Sequence, residues 1–235
     1  VSKQNCKNRF MWSRRKICLG LAAVPLAACG ENRLLRTVAD AFRLTIVGHA
    51  DIPISRETVT NLPYASIAAK IGKGPRSLMI LWRVEGEDLH WLSADNVAVV
   101  TRQGRVVKTA GLPVGMRDTL FHQPDPIASR LERPKNDKMF IREVRFDRGS
   151  PIADDQPSEA LIESEFQEMG RSLIEIVEIE FETVLFRERN HVRGINWSFD
   201  NWFWVDPADG FVWRSEQTIA RTFPPIRIEI LKPAA

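Results

Sequence analysis

The chain has 235 residues and a formal net charge of +3 at pH 7, with 44% hydrophobic and 27% charged residues. So small a basic excess provides no general electrostatic surface for nucleic acid, and three cysteines are too few for a disulfide-rich scaffold. The length fits one all-β domain or two small ones, and it can bury a sizeable core without disulfides.

The first element in chain order is a leader over residues 1–28. A basic stretch, residues 14–16, precedes an apolar run over residues 17–24. Residues 26–29, Leu-Ala-Ala-Cys, then match the lipobox, in which small residues precede a cysteine. The apolar run is too short to cross a bilayer, which needs roughly 20 residues. We therefore interpret the leader as a lipoprotein signal peptide, and we expect diacylglycerol and a further acyl chain such as palmitate on Cys29.

The leader leaves several alternatives open. An ordinary signal peptide would place a cysteine at the cleavage site by chance. Residues 1–10 would be an upstream extension if translation began at Met11. The adjacent arginines at residues 14–15 partly resemble a twin-arginine export motif, although general secretion is the default. Gly30 follows the cysteine where aspartate would favour inner-membrane retention, so we expect a lipid anchor on the periplasmic face of the outer membrane.

Removal of the leader changes the chemistry of the chain. Cys6 and Cys18 lie in the leader, so the mature chain keeps only Cys29 and lacks cysteines for a disulfide, a zinc site or a nucleophile. The leader also holds six basic residues and no acidic ones, which leaves 27 basic against 30 acidic residues and a net charge of −3. We expect residues 29–235 to form a single β-rich periplasmic domain with no nucleic-acid partner.

The mature chain is predicted to be all-β, with mainly antiparallel sheets and a short N-terminal helix over residues 32–42. In the longest strand candidate, residues 173–187, apolar residues alternate with Glu178, Glu180 and Glu182, which indicates one solvated face. The first residues of this candidate fit the alternation less well, so we expect a bend or bulge there. The other predicted strands cover residues 77–84, 89–92, 97–101, 105–109, 139–146, 201–205, 210–214 and 226–231.

Short motifs in a fixed order carry a family resemblance. They are Pro63-Tyr64-Ala65-Ser66, Trp91, Ser93-Ala94-Asp95, Gly111-Leu112-Pro113, Asn201-Trp202-Phe203-Trp204-Val205-Asp206, Val212-Trp213 and Leu231-Lys232-Pro233. With these motifs the chain resembles the YjbF/GfcB family, the group 4 capsule polysaccharide lipoproteins, over roughly residues 34–233, although residues 121–170 match poorly. The resemblance implies an antiparallel β fold that curls into half-barrels. It also implies a periplasmic component of exopolysaccharide or capsule secretion, and it carries across no catalytic residues.

The sequence itself offers no catalytic constellation. The four histidines have no partner at metal-ligand spacing, and the serines lack the glycine-flanked elbow of a hydrolase. We therefore predict no catalytic residues, no metal and no cofactor. The favoured function is a non-enzymatic accessory or assembly factor that contacts polysaccharide-export proteins or glycan. The alternative is a periplasmic enzyme that modifies the polysaccharide and uses carboxylates such as Asp206 as acid or base.

Aromatic residues near the C-terminus give the one candidate ligand site. Trp202 and Trp204 share one face of their predicted strand, and Phe203 lies on the other. Tryptophan rings can stack on the apolar faces of sugars, and Asn201 and Asp206 could bond hydroxyl groups nearby. These four polar and tryptophan residues are the predicted glycan site. The competing interpretation, which we favour for the two tryptophans, is that the rings pack in the core of the sheet.

Overall fold

The described part of the chain, residues 54–128, 139–147 and 157–234 of a computed structural model, is almost entirely β. Twelve strands form one antiparallel sheet, and one helix, α1 (Arg56–Asn61), precedes them. The strands are β1 (Ser66–Ile71), β2 (Arg76–Glu85), β3 (Asp88–Ser93), β4 (Ala98–Arg102), β5 (Arg105–Ala110), β6 (Met116–Phe121), β7 (Phe140–Phe146), β8 (Glu159–Ile176), β9 (Ile179–Val192), β10 (Ser198–Val205), β11 (Val212–Gln217) and β12 (Ile226–Lys232).

The all-β prediction is confirmed. Residues 1–28, Cys29 and the predicted helix over residues 32–42 lie outside the described residues. Helix α1 begins at a serine cap, because the Ser55 hydroxyl accepts a hydrogen bond from the Thr58 N–H at 3.2 Å. Strands β1 and β6 and the first half of β8 were not among the predicted strands, and the first half of β8 falls in the stretch where the family motifs match poorly.

The order of the strands in the sheet is β5-β4-β3-β2-β1-β12-β11-β10-β9-β8-β7-β6. Each strand from β2 to β5 lies beside its predecessor in the chain, and so does each strand from β7 to β12. The pairing of β1 with β12, from Ser66 opposite Lys232 to Ile71 opposite Ile226, joins the two series. The first and last strands of the chain therefore meet in the middle of the sheet.

The two ends of the sheet come together through side chains. The Thr119 hydroxyl of β6 donates to the Val107 carbonyl of β5 at 2.9 Å, and the Thr109 hydroxyl accepts from the Met116 N–H at 2.9 Å. These bonds take the place of a regular ladder between β5 and β6. The sheet is therefore nearly closed.

Strand β5 also contacts β11, through Gln217. This amide accepts from the Val106 N–H at 3.0 Å and donates to the Gly104 carbonyl at 2.9 Å. Because β5 touches both β6 and β11, it divides the curled sheet into two parts. We call the part from β5 through β1 and β12 to β11 the first half, and the part from β10 to β6 the second half.

The predicted strand over residues 173–187 is wrong, because a hairpin divides it. Val177 and Glu178 have φ of +48° and +63° and form a two-residue turn between β8 and β9. Neither residue is a usual choice for positive φ, so the sequence carried no turn signal here. The glutamates at positions 178, 180 and 182 are exposed, which confirms the solvated face.

The β8–β9 hairpin bends and packs its tip on the outside of the first half. A bulge between Glu168 and Gly170, with Gly170 at φ +103°, lies at the bend, a few residues before the position that we predicted. Beyond it, Val177 packs with Val59 of α1 and with Ala68, whose side chain lies on the outer face of β1. The hairpin tip therefore shields part of the outer surface near α1.

Candidate functional site

The tryptophans of the predicted glycan site do not lie in the core. Phe203 is fully buried in the sheet interior, whereas Trp202 and Trp204 are half-buried on the outer face of β10. The core interpretation of Trp202 and Trp204 is therefore wrong, and Phe203 is the ring that packs inside. Alternation put the two tryptophans on one face, but it could not tell which face was buried, since both carry large rings.

Each of these tryptophans has an arginine against its ring. The guanidinium carbon of Arg187 lies 5.6 Å from the Trp202 ring centroid, and that of Arg214 lies 5.7 Å from the Trp204 centroid. Arg214 is fixed in turn by Glu229, at 2.8 Å. The outer face of β9, β10 and β11 thus presents aromatic rings beside held cations, a surface suited to contact with another molecule.

The other two predicted residues lie elsewhere. Asn201 is 2% exposed, points into the second half, and donates to Glu188 Oε2 at 2.7 Å. Asp206 shapes the β10–β11 turn, where its carboxylate accepts from the Trp213 indole N–H at 3.0 Å and from the Ala208 N–H at 2.9 Å. The structure therefore brings Trp202 and Trp204 together and separates both from Asn201. Ligand binding at these residues stays a prediction.

A cavity of about 320 Å³ opens at one end of the first half, and we call it the mouth pocket. It lies inside the sheet, at the end where the β2–β3, β4–β5 and β10–β11 turns meet the residues after β12. The apolar side chains that line its walls and floor are Leu89, Trp91, Val212, Ile228 and Ile230. Sequence reasoning missed this pocket, because its lining comes from four strands far apart in the chain.

Aromatic rings stand at the rim of the mouth pocket. Trp213 lies with its centroid 4.1 Å from that of Phe181 and 4.8 Å from that of Phe211. The β4–β5 turn closes against the opposite wall, where a Cβ added to Gly104 would come within 2.5 Å of the Val212 Cβ. Only glycine fits at this position, which also has φ of +87°.

A buried ionic network fills the interior of the second half. Arg105 forms a two-point ion pair with Asp125 and donates to Glu188 Oε2 at 2.9 Å. Arg142 donates to Glu188 Oε1 at 2.9 Å and to Asn190 Oδ1 at 2.9 Å. Two cations therefore face two carboxylates, and the cluster is neutral overall. The Arg105 guanidinium also lies 5.2–5.3 Å from the centroids of two phenylalanine rings that enclose it.

Glu188 and Arg142 hold their charges at neutral pH. Burial alone would raise the pKa of Glu188, but attraction to Arg105 and Arg142 outweighs burial and lowers it to about 2. Burial lowers the pKa of Arg142 to about 10, which still leaves this guanidinium charged at pH 7. Because Arg105 holds both Asp125 and Glu188, neither carboxylate is placed to exchange protons with a substrate.

Metal-binding clusters and membrane-spanning helices are both absent from the described ranges. Within residues 54–128, 139–147 and 157–234, no three histidine, aspartate or glutamate side chains lie close enough to hold a metal ion. Of the helical structure in those same ranges, none is long and apolar enough to span a bilayer.

Comparison with known proteins decides the family. The profile of the family described as "Group 4 capsule polysaccharide lipoprotein gfcB, YjbF" matches residues 39–231. The chain belongs to this family. The sequence resemblance is thereby confirmed over most of the chain, including the stretch between residues 121 and 170 where the motifs had matched poorly.

Two relatives of this YjbF family are lipoproteins of Escherichia coli K12. The lipoprotein GfcB is 26% identical over 220 residues, which cover 94% of this chain and 99% of that protein. The lipoprotein YjbF is 24% identical over 221 residues, with the same coverage. Both are described as uncharacterized lipoproteins. Their coverage extends across nearly the full length of each protein.

A solved structure agrees with the architecture described above. The crystal structure of the hypothetical lipoprotein YmcC from Escherichia coli superimposes with a TM-score of 0.68 and 23% identity. The match covers 88% of this chain and 97% of that one. At this identity the comparison concerns the fold alone, and it extends to both halves of the sheet.

Proposed function

We propose that the protein is a membrane-anchored periplasmic lipoprotein that serves as a non-enzymatic accessory or assembly factor in exopolysaccharide or capsule production and export. The family match over residues 39–231 carries this proposal, because the family is described by its connection to group 4 capsule polysaccharide. The lipobox at Cys29 supports the anchor, and Gly30 favours the outer membrane over the inner one.

The environment of the acidic residues supports a non-enzymatic role. The carboxylate of Asp206, the acid or base of the enzyme alternative, accepts hydrogen bonds from the Ala208 N–H of its own turn and from the Trp213 indole of β11. Asp125 and Glu188 are paired with Arg105 in the interior. A general acid or base needs a carboxyl that can reach substrate and exchange its proton, and none of these three has that freedom.

The proposed contact surface is the outer face that carries Trp202 and Trp204. Both rings are half-buried, so they remain accessible to a partner protein of the export machinery or to a glycan. An aromatic ring beside a cation can stack on a sugar or pack against a side chain of a partner. Trp202→Ala and Trp204→Ala should leave the protein folded and lower the yield of exported polysaccharide.

The experiment that tests the function is deletion of the gene, followed by complementation with the wild type, Trp202→Ala or Cys29→Ala. We expect deletion to lower surface polysaccharide while the sugar composition and linkages of the remaining material stay unchanged. An altered linkage pattern would indicate the enzyme alternative instead. Unchanged polysaccharide yield after deletion would contradict the proposal as a whole.

The anchor is tested by the fate of the Cys29→Ala protein. Several acyl chains are needed for lasting attachment, since one chain alone binds only marginally. We expect the variant to leave the membrane fraction or to accumulate with its leader uncleaved. Membrane fractionation and the mass of the mature N-terminus measure this. A variant with unchanged fractionation and unchanged mass would refute lipidation at Cys29.

A further inference from the structure

We propose that the mouth pocket binds one aliphatic chain of a lipid. The pocket opens to solvent at one end of the first half, and its volume of about 320 Å³ lies at the lower end of the range for ligand sites. Its walls are formed by Leu89, Val212, Ile228 and Ile230, with the buried Trp91 ring as the floor. Its size suits a single chain, and apolar atoms form the larger part of its lining.

Two polar groups inside the pocket, the Trp91 indole N–H and the Ser215 hydroxyl, already have partners within the protein. The Trp91 indole N–H donates to the Thr101 hydroxyl at 2.8 Å, and the Ser215 hydroxyl accepts from the Gln217 amide at 2.9 Å. A sugar in this space would lose water from its hydroxyl groups without gaining enough new hydrogen bonds, which is costly. An aliphatic chain has no such groups to satisfy.

The entrance fits a molecule with an apolar tail and a polar head. Phe211 and Trp213 line the rim, and the polar residues Glu87 and Gln103 lie at the adjacent turns. A tail could pass the aromatic rings and lie against Ile230, while its head group stays in water beside the turns. Tryptophan is typical of places where an apolar region meets a polar one, because its ring is apolar and its indole N–H is polar.

The chain could come from either of two sources. Cys29 is expected to carry acyl chains of its own, and a lipid from elsewhere in the envelope, including one that carries a glycan, presents the same chemistry. Both sources require the same pocket, so the first question is whether an aliphatic chain binds there at all. This inference concerns the purified protein and does not depend on the proposed role in polysaccharide export.

The test uses the mature chain from Cys29, produced without the leader and therefore without lipid. Brominated saturated fatty acids of increasing length would be titrated while tryptophan fluorescence is followed, since bromine quenches rings that it approaches. We expect saturable quenching, with affinity rising about fourfold for each added methylene until the pocket is full. Binding without dependence on chain length would overturn the proposal, and so would displacement of the fatty acid by a soluble oligosaccharide.

Matched variants locate the site. Leu89→Glu places a charge in the pocket and should weaken binding by more than about tenfold, whereas Leu92→Glu on the opposite face of the same strand should not. Melting temperatures identify variants that fail to fold, and Leu89→Trp, which fills the space with an apolar ring, serves if the charge unfolds the protein. Equal binding by the wild type and by both Leu89 variants would refute the site.

Lipidated protein extracted from membranes distinguishes the sources. If the protein's own acyl chain occupies the pocket, the lipidated form should show no quenching by brominated fatty acid, while the unlipidated form does. If the ligand is another lipid, the two forms should be quenched equally. Absence of quenching in both forms would overturn the proposal.

Discussion

Phe203 and its neighbours on β10 differ sharply in what they contribute to stability. Phe203 is fully buried, so Phe203→Ala should cost about 3–5 kcal/mol, a large share of a typical stability of about 5–15 kcal/mol. Trp202 is half-buried and loses mainly its contact with Arg187, so Trp202→Ala should cost only about 1–2 kcal/mol. Urea unfolding of the two variants measures the difference. Equal losses would contradict the inward orientation of Phe203.

Glu188 should make the protein sensitive to acid. Its pKa is lowered from 4.5 to about 2 in the folded chain, so as the pH falls the unfolded state takes up the proton first. The stability that this group contributes is therefore complete above about pH 4.5 and is lost progressively as the pH falls toward 2. Unfolding free energies measured across this interval should decline with falling pH.

Substitution of Glu188 tests the origin of that decline. Glu188→Gln leaves Arg105 and Arg142 with one buried carboxylate between them and should cost about 3–5 kcal/mol at neutral pH. It should also flatten the dependence on pH below 4.5. The matched control is Glu182→Gln, at an exposed position of the same strand. It should change neither the stability at neutral pH nor its dependence on pH. If the stability of Glu188→Gln still declined to the same extent below pH 4.5, other carboxylates would be the cause of that decline.

At the scale of the element, substitution by glycine should have opposite effects on stability at two nearby positions of the β8–β9 hairpin. Glu178 is exposed and has φ of +63°, so Glu178→Gly relieves a left-handed conformation and should stabilise the protein by about 0.5–1 kcal/mol. Glu180 is exposed within a regular strand, and Glu180→Gly should destabilise by a similar amount. Thermal unfolding of both proteins decides the matter. Destabilisation by both would place the turn elsewhere.

At the scale of the whole molecule, Gln217 holds together β5 and β11, the two end strands of the first half. Gln217→Leu would leave the Val106 N–H and the Gly104 carbonyl without their partner, at a cost of about 1–3 kcal/mol for each. We expect faster hydrogen exchange at the Val106 amide and a lower melting temperature. Glu216→Gln, a neighbour on the outer face of β11, is the control and should leave that exchange rate unchanged.

Features that depend on residues close together in the chain could be predicted from the sequence, and features that depend on distant residues could not. The β4–β5 hairpin was predicted from the turn at Gly104, and the exposed glutamates of β9 from alternation. The ionic network could not be foreseen, because Arg105 and Glu188 lie 83 positions apart. The inward face of β10 was ambiguous because rings occupy both faces. The Val177–Glu178 turn lacks the residues that normally mark one.

The pairing of β1 with β12 also sets an order of events during biogenesis. A chain that crosses a membrane from its N-terminus delivers β1 to β5 first, yet the neighbour of β1 in the sheet arrives last. The first half therefore waits with an open edge at β1 until residues 226–232 emerge, while the hairpins of the second half can pair as they appear. Such non-local pairing slows folding and leaves strand edges available for aggregation. A chain exported as proposed above should thus pass through an interval in which it depends on chaperones, and that interval ends with β12.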